Sequence, residues 1–317
     1  MTRFLFLAMA LFCLPVHAQS GDAILRFVAL GDLPYGPPEV SQAPYRALID
    51  RINAVQPGFS IHVGDFKSGS TPCSDEEFSR QLENFQRFAG ALIYTPGDNE
   101  WTDCHRPSAG GFDPLERLAT LRKRFFVAGR SLGARPIMLE NQSVLMPAFG
   151  AFIENQRWQH AGVTFATVHI VGSNNNRDPR EPRALAEFDA REAANAAWIA
   201  STFEAARRAQ SVAVVVAFQA DVFESARPWD DFPPGSGFIR SVAQTLLPLA
   251  RDWNRPVLVI HGDTHRFRVD QPFALEGKPL LQVTRLIVPG ARDVRAVRVT
   301  VRGDGGFGFE IVQAAVP

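Results

Sequence analysis

Cysteine is scarce in this chain of 317 residues: there are three, at positions 13, 73 and 104. So few thiols exclude a disulfide-dense scaffold. An excess of charge is missing too. The 33 Lys and Arg residues balance 33 Asp and Glu, which argues against the basic surface that nucleic acid or anionic lipid requires. Beyond the first eighteen residues there is no long apolar run, so no membrane span is expected and the remaining chain reads as soluble. There is no Ser/Gly/Pro-rich linker and no internal repeat. Residues 19–317 therefore read as one domain, and 46% apolar with 21% charged residues is ordinary for a globular one.

The amino terminus is different. Arg3 precedes the apolar run FLFLAMALFCLPV, and Val16-His17-Ala18 places small residues three and one before a cleavage point. Residues 1–18 read as a secretory signal peptide, too short to span a membrane, and the expected location is secreted or periplasmic. No lipobox precedes Cys13, which argues against a lipoprotein. Cleavage removes Cys13 and one basic residue, Arg3. In an oxidising compartment the remaining pair, Cys73 and Cys104, most simply forms one disulfide, with two free thiols as the alternative. Both follow strand-like runs ending in Gly-Asp, so their loops are expected at one edge of a sheet.

Short apolar runs rich in β-branched residues predict buried strands over 24–30, 59–63, 92–95, 164–171, 212–218 and 257–260. Helical spacing of apolar residues predicts helices over 41–55, 75–89 and 182–208. The aromatic stripes of these helices read as core faces. Alternating strands and helices imply an α/β fold with much parallel sheet. After residue 278 only strands are predicted, over 281–288, 294–301 and 307–312. These suggest a second, largely antiparallel sheet, giving a two-sheet core flanked by helices.

The chemistry-bearing pattern lies where these strands stop. Gly31-Asp32, Gly64-Asp65, Gly97-Asp98 and Gly262-Asp263 each follow an apolar run, and His265 stands two residues beyond the last. One Gly-Asp after a strand is a common turn. Four aspartates delivered to the carboxyl ends of strands, where α/β sheets bind ligands, would repel one another unless a divalent cation offset their charge.

In order and spacing these residues resemble the calcineurin-like metallophosphoesterase superfamily. Its pattern runs Gly-Asp-x-His, Gly-Asp-x-x-x-x-Gly, Gly-Asn-His-Glu, a strand-end His, then Gly-His-x-His. Here the counterparts are Gly31-Asp32-Leu33-Pro34, Gly64-Asp65 with Gly69 (one residue short), Gly97-Asp98-Asn99-Glu100, Gln219 and Gly262-Asp263-Thr264-His265. The resemblance spans nearly the whole chain after the leader. It implies a metallo-dependent phosphatase-like double sandwich with two divalent cations. By position, one cation would see Asp32, bridging Asp65 and His265, and the other Asp65, Asp98, Gln219 and Asp263. Pro34, Gln219 and Asp263 replace histidine ligands, Asp98 replaces asparagine, and Asn99 replaces the histidine next to the leaving group. This shift from nitrogen to oxygen favours manganese, magnesium or calcium over zinc or iron.

The implied reaction is hydrolysis of a phosphate ester, mono- or diester, by a water activated between two metals, with a small phosphorylated molecule as substrate. The alternative is a degenerate relative that binds metal or a phosphorylated ligand without turnover. Asn99, His105 and Arg106 are the candidate catalytic groups beside the metals, and Lys67 is a further cation. Asn174, Asn175 and Asn176 follow a strand and are candidate pocket residues. Tyr35, Phe66, Trp101 and Trp229 are candidate stacking surfaces. His62 and His169 read as core histidines, and His261 as a support for a metal carboxylate. The sequence leaves the oligomeric state open.

Overall fold

The computed structural model describes residues 22–224 and 226–314; the expected leader, residues 1–18, lies outside them. The strands of the amino-terminal half are β1 (Ala23–Leu30), β2 (Ser60–His62), β3 (Leu92–Tyr94), β4 (Glu140–Asn141), β5 (Gln156–His160) and β6 (Val163–Thr167). Those of the carboxy-terminal half are β7 (Ala213–Ala217), β8 (Val257–His261), β9 (Arg268–Asp270), β10 (Ala274–Leu275), β11 (Lys278–Pro279), β12 (Val283–Ile287), β13 (Arg295–Arg302) and β14 (Phe307–Gln313).

Two main sheets result. The first has the order β14-β13-β1-β2-β3, and the second β4-β5-β6-β7-β8-β12-β9. Strands β1, β2 and β3 run parallel, as do β6, β7, β8 and β12. Both faces of these strands are buried, which is why they read as unbroken apolar runs rather than alternating ones. In β1, Leu25, Phe27 and Ala29 point between the sheets, while Val28 and Leu30 point to the outer helices. In β8, Leu258 and Ile260 point between the sheets, and Val257 and Val259 outward.

The C-terminal strands do not form the separate antiparallel sheet expected from sequence. Strand β12 joins the second sheet parallel to β8, whereas β13 and β14 extend the first sheet antiparallel beside β1. Strand patterning reports which residues are buried, not which edge receives them.

Outside the first sheet pack the helices Pro38–Ala54, Asp75–Gln86 and Pro114–Phe125. The first buries Tyr45, Leu48, Ile49 and Ile52, the stripe its sequence spacing predicts. The second starts at Ser74, whose hydroxyl accepts the Glu77 N–H at 3.2 Å, a cap worth about 1 kcal/mol. The helix Pro182–Arg208 covers the second sheet with Phe188, Trp198, Ile199 and Phe203 buried. It is joined there by a helical run over 239–253 that sequence reading misses. No helix among the described residues is long and apolar enough to cross a membrane.

Cys73 and Cys104 form the expected disulfide, with Cα atoms 5.7 Å apart. It ties the loop after β2 to the turn after β3. On the chain-entropy account a loop of this length is worth about 3 to 4 kcal/mol.

Candidate metal centre

The parallel strands of both sheets end at one side of the molecule. Asp32 follows β1, Asp65 follows β2, Asp98 follows β3, Gln219 follows β7, and Asp263 and His265 follow β8. Asp32, Asp65, Asp263 and His265 adopt left-handed backbone, with φ of 52°, 56°, 74° and 60°. Such conformations cost non-glycine residues of order 1 kcal/mol or more each and cluster at functional sites. The paired glycines serve close approach. A Cβ at Gly97 would stand 2.1 Å from Asp65 Oδ1, and one at Gly262 would stand 2.1 Å from Asp32 Oδ2.

Asp32, Asp65 and His265 each place one ligating atom within 4.8 Å of the others, and Asp65, Asp98 and Asp263 do the same. Asp65 is common to both clusters. Its Oδ2 accepts the Tyr35 hydroxyl at 2.7 Å, the Asn99 amide at 2.7 Å and the Gln219 amide at 3.3 Å. Its Oδ1 accepts the Asn99 N–H at 3.1 Å. The rest of the second cluster is equally supplied with donors. Asp98 accepts Ser173 Oγ at 2.8 Å and Gln219 Nε2 at 3.2 Å. Asp263 accepts Gln219 Nε2 at 3.2 Å and the Asp221 N–H at 2.9 Å.

In the first cluster Asp32 Oδ1 accepts the Asp263 N–H at 2.9 Å and lies 3.6 Å from His265 Nε2. Asp32 Oδ2 is buried with no hydrogen-bond partner among the described residues. A buried, unpaired carboxylate oxygen is costly. With the carboxylate of Asp65 and the half-exposed imidazole of His265, it makes a donor set that fits a divalent cation.

The electrostatics agree. Burial, reinforced by the neighbouring carboxylates, holds Asp32 and Asp65 well above the ordinary carboxylate range. Burial and then Asp98 push Asp263 up to about 8. Burial also lowers Lys67, against the pull of Glu100 and Asp65, and its ammonium turns to the Ser68 carbonyl at 3.1 Å. These carboxylates are left to take up protons or a cation.

No protein-family model matches the sequence, and no curated protein matches it. Solved structures do. The chain is similar to a dimetal phosphatase from Danio rerio, with a TM-score of 0.50 at 10% identity over 93% of this chain and 100% of that one. It is also similar to a purple acid phosphatase from yellow lupin (Lupinus luteus) seeds, with a TM-score of 0.51 at 13% identity. That match covers 92% of this chain but 51% of the lupin chain, so this chain spans about half its length. The likeness is one of fold: two sheets flanked by helices, as in these two phosphatases.

Within this fold the candidate site residues separate. Asp32, Asp65, Asp98, Asp263, His265, Gln219 and Asn99 come together. Gln219, however, turns its oxygen to the Gly172 N–H at 2.6 Å and its NH2 to the carboxylates. Arg106 reaches the rim and pairs with Asp103 at 2.5 Å. A Cβ at Gly69 would meet Asn99 Oδ1 at 2.8 Å and Arg106 Nη1 at 3.5 Å, so Arg106 stands beside Asn99. His105 is exposed and faces the Thr102 carbonyl at 2.7 Å. It lines one groove with Asp113, Asn176 and Arg183 and another with Asp103, Arg106 and Ser173, and none of the clustered carboxylates lines either.

Two expectations are corrected. Phe66 and Trp101 are fully buried, in an aromatic cluster and against His169 respectively, and have no free face for stacking. His261 supports no carboxylate; its Nδ1 faces the Gly262 carbonyl at 3.0 Å and its ring stacks on Phe218. Tyr35 is half-buried, gives its hydroxyl to Asp65 and sets its ring edge-on to His265 while lining the adjoining cavity. Trp229 is exposed and donates its indole N–H to the Gln271 carbonyl at 3.0 Å. His62 and His169 are buried core histidines, the latter 2.8 Å from Glu154. Residues 173–176 all adopt left-handed φ, with Asn175 buried and Asn174 tied to Glu224 and Gly235. That turn aims Ser173 at Asp98.

Sequence reading gives no role to Ser173, or to Glu100. Buried Glu100 accepts the N–H groups of Asp65 and Gly97 and the Tyr94 hydroxyl, which locks the second and third motif loops together. Its place in Gly97-Asp98-Asn99-Glu100 is the signal that points to it.

Proposed function

We propose that this chain is a metal-dependent hydrolase of small phosphate esters. The observation that supports the reading best is the meeting of strand-end carboxylates from both sheets at Asp65, with His265 beside them and Asp32 Oδ2 buried and unpaired. Asp32, Asp65 and His265 would hold a divalent cation, with manganese, magnesium or calcium preferred by the oxygen-rich donor set. When bound, such a cation supplies Lewis-acid polarisation of a phosphoryl oxygen.

The protein's own groups supply the rest. Tyr35 and Asn99 fix the orientation of Asp65 by direct hydrogen bonds. Arg106 sets a guanidinium at the rim beside Asn99, suited to a phosphoryl oxygen. A cavity of about 470 Å³ lined by Leu33, Tyr35, Val40, Tyr45 and Val294 adjoins Tyr35 and offers room for the apolar part of an ester.

A second reading is binding without turnover. It is favoured by Asn99, whose amide carries no acidic proton and is tied to Asp65 and Tyr35, standing where the resemblance expects a histidine beside the leaving group. Assays of p-nitrophenyl phosphate and its diester with manganese, magnesium and calcium, with and without chelator, separate the two. Cation-dependent hydrolysis is expected. Cation binding with no turnover of either ester would support the second reading. The leader-like residues 1–18 and the buried disulfide support an extracytoplasmic location.

A further inference from the structure

We infer that this chain holds one divalent cation, at Asp32, Asp65 and His265, and that the side-chain amide of Gln219 takes the place of a second. The inference rests on the metal-dependent reading above and specifies its site. Gln219 is completely buried. Its Nε2 lies 3.3 Å from Asp65 Oδ2, 3.2 Å from Asp98 Oδ1 and 3.2 Å from Asp263 Oδ1. An NH2 group thus sits among the three carboxylates of the second cluster, its two hydrogens shared over three acceptors.

The orientation of the amide follows from its other end. Gln219 Oε1 accepts the Gly172 N–H at 2.6 Å. Turning the amide over would set NH2 against that N–H and an oxygen against three carboxylates, losing every hydrogen bond the group makes. The backbone cannot retreat, because Gln219 N donates to the Ile170 carbonyl and Gln219 O accepts the Gly262 N–H. Gly172 comes this close because it lacks a side chain. A Cβ there would stand 2.8 Å from Asp98 Oδ2 and 3.0 Å from Asp263 Oδ1.

The amide nitrogen cannot ligate a metal, and its hydrogens satisfy the lone pairs that a second cation would use. The first cluster shares the donors on Asp65, but among the described residues Asp32 Oδ2 is buried and has no hydrogen-bond partner, so one ligating oxygen is left for a cation. Ser173 and the Asp221 N–H complete the second cluster, so all of its carboxylates have donors without a cation.

The test is manganese stoichiometry of the chelated and reloaded protein, by equilibrium binding and by electron paramagnetic resonance. The native chain is expected to take up one equivalent with a mononuclear spectrum. Gln219→Glu, nearly isosteric but with a carboxylate in place of the amide, is expected to take up two and to show an exchange-coupled spectrum. Should that variant fold poorly, Asp98→Asn provides the second arm, expected to keep one equivalent with no more than a few-fold loss of affinity. Two equivalents or an exchange-coupled spectrum in the native chain would overturn the inference, as would no binding, or loss of the cation in Asp98→Asn. Its failure is distinguishable from failure of the functional reading. Two bound cations with hydrolysis would defeat this inference alone, whereas one bound cation without hydrolysis would defeat only the enzyme.

Discussion

The two clusters that meet at Asp65 lie at the same sheet edge, one made of two aspartates and His265 and the other of three aspartates, and they differ in how their oxygens are satisfied. Around Asp98 and Asp263 the protein supplies Ser173, the Asp221 N–H and the Gln219 amide. Around Asp32 it supplies one N–H and a half-exposed imidazole, leaving one oxygen with nothing. The difference teaches that carboxylate count alone does not define a cation site. The donors already spent on those carboxylates decide it.

The largest effect is expected where the comparison collapses, at the shared residue. Asp65→Asn should weaken manganese binding by more than about 100-fold, beyond the 10- to 100-fold typical of losing an outer partner of a ligand. Calorimetric titration checks this, and native affinity in the variant would show that Asp65 joins nothing. Next comes stability. At a cation concentration a hundredfold above its dissociation constant, loading should stabilise the native chain by about 2.7 kcal/mol, read as a rise in thermal midpoint that chelator reverses and that Asp32→Asn lacks.

The pH dependence of the chelated protein follows from Asp263. Folding raises its pKa from the ordinary 3.8 to about 8, so the folded state holds this proton more tightly than the unfolded state. Its contribution to stability is full below the ordinary value and is lost as pH rises through about 8. Burial shifts Asp32 and Asp65 in the same direction. The thermal midpoint of the chelated protein should therefore fall between pH about 4 and about 8, and cation should flatten that slope. A midpoint that rises over this range would contradict the assigned direction.

Smaller effects sharpen the contrast. Tyr35→Phe removes a donor to the shared carboxylate and should weaken the cation about tenfold, with the fold unchanged by circular dichroism. Ser173→Ala removes a donor to Asp98 and Asp103, neither of them a ligand at the first cluster, and should cost about 1 kcal/mol of stability, measured by denaturant unfolding, while leaving manganese affinity in place.

Much of this was legible in the sequence. The long helix over 182–208 and the apolar runs show because burial on both faces leaves an unbroken apolar signal. The Gly-Asp pairs show because close approach of backbone to carboxylate admits only glycine, as Gly97 and Gly262 demonstrate. The split of β12 from β13 and β14 was not legible, since edge choice depends on pairing partners far away in sequence. Nor was the orientation of Gln219. It is set by the N–H of Gly172, 47 residues earlier, and an amide reads the same in sequence whichever end faces the site. The direction of His105 is not legible either, since the turn after Cys104 leaves it exposed, in a groove with Arg106, Asp103 and Ser173 rather than among the clustered carboxylates.

Titration of chelated protein with manganese, while p-nitrophenyl phosphate hydrolysis is followed, decides whether a cation held at Asp32, Asp65 and His265 supports phosphoester hydrolysis. No turnover is expected without cation, turnover should saturate as the site fills, and none is expected in Asp32→Asn at any manganese concentration that leaves the fold intact. Undiminished turnover in chelator, or in Asp32→Asn, would contradict that role.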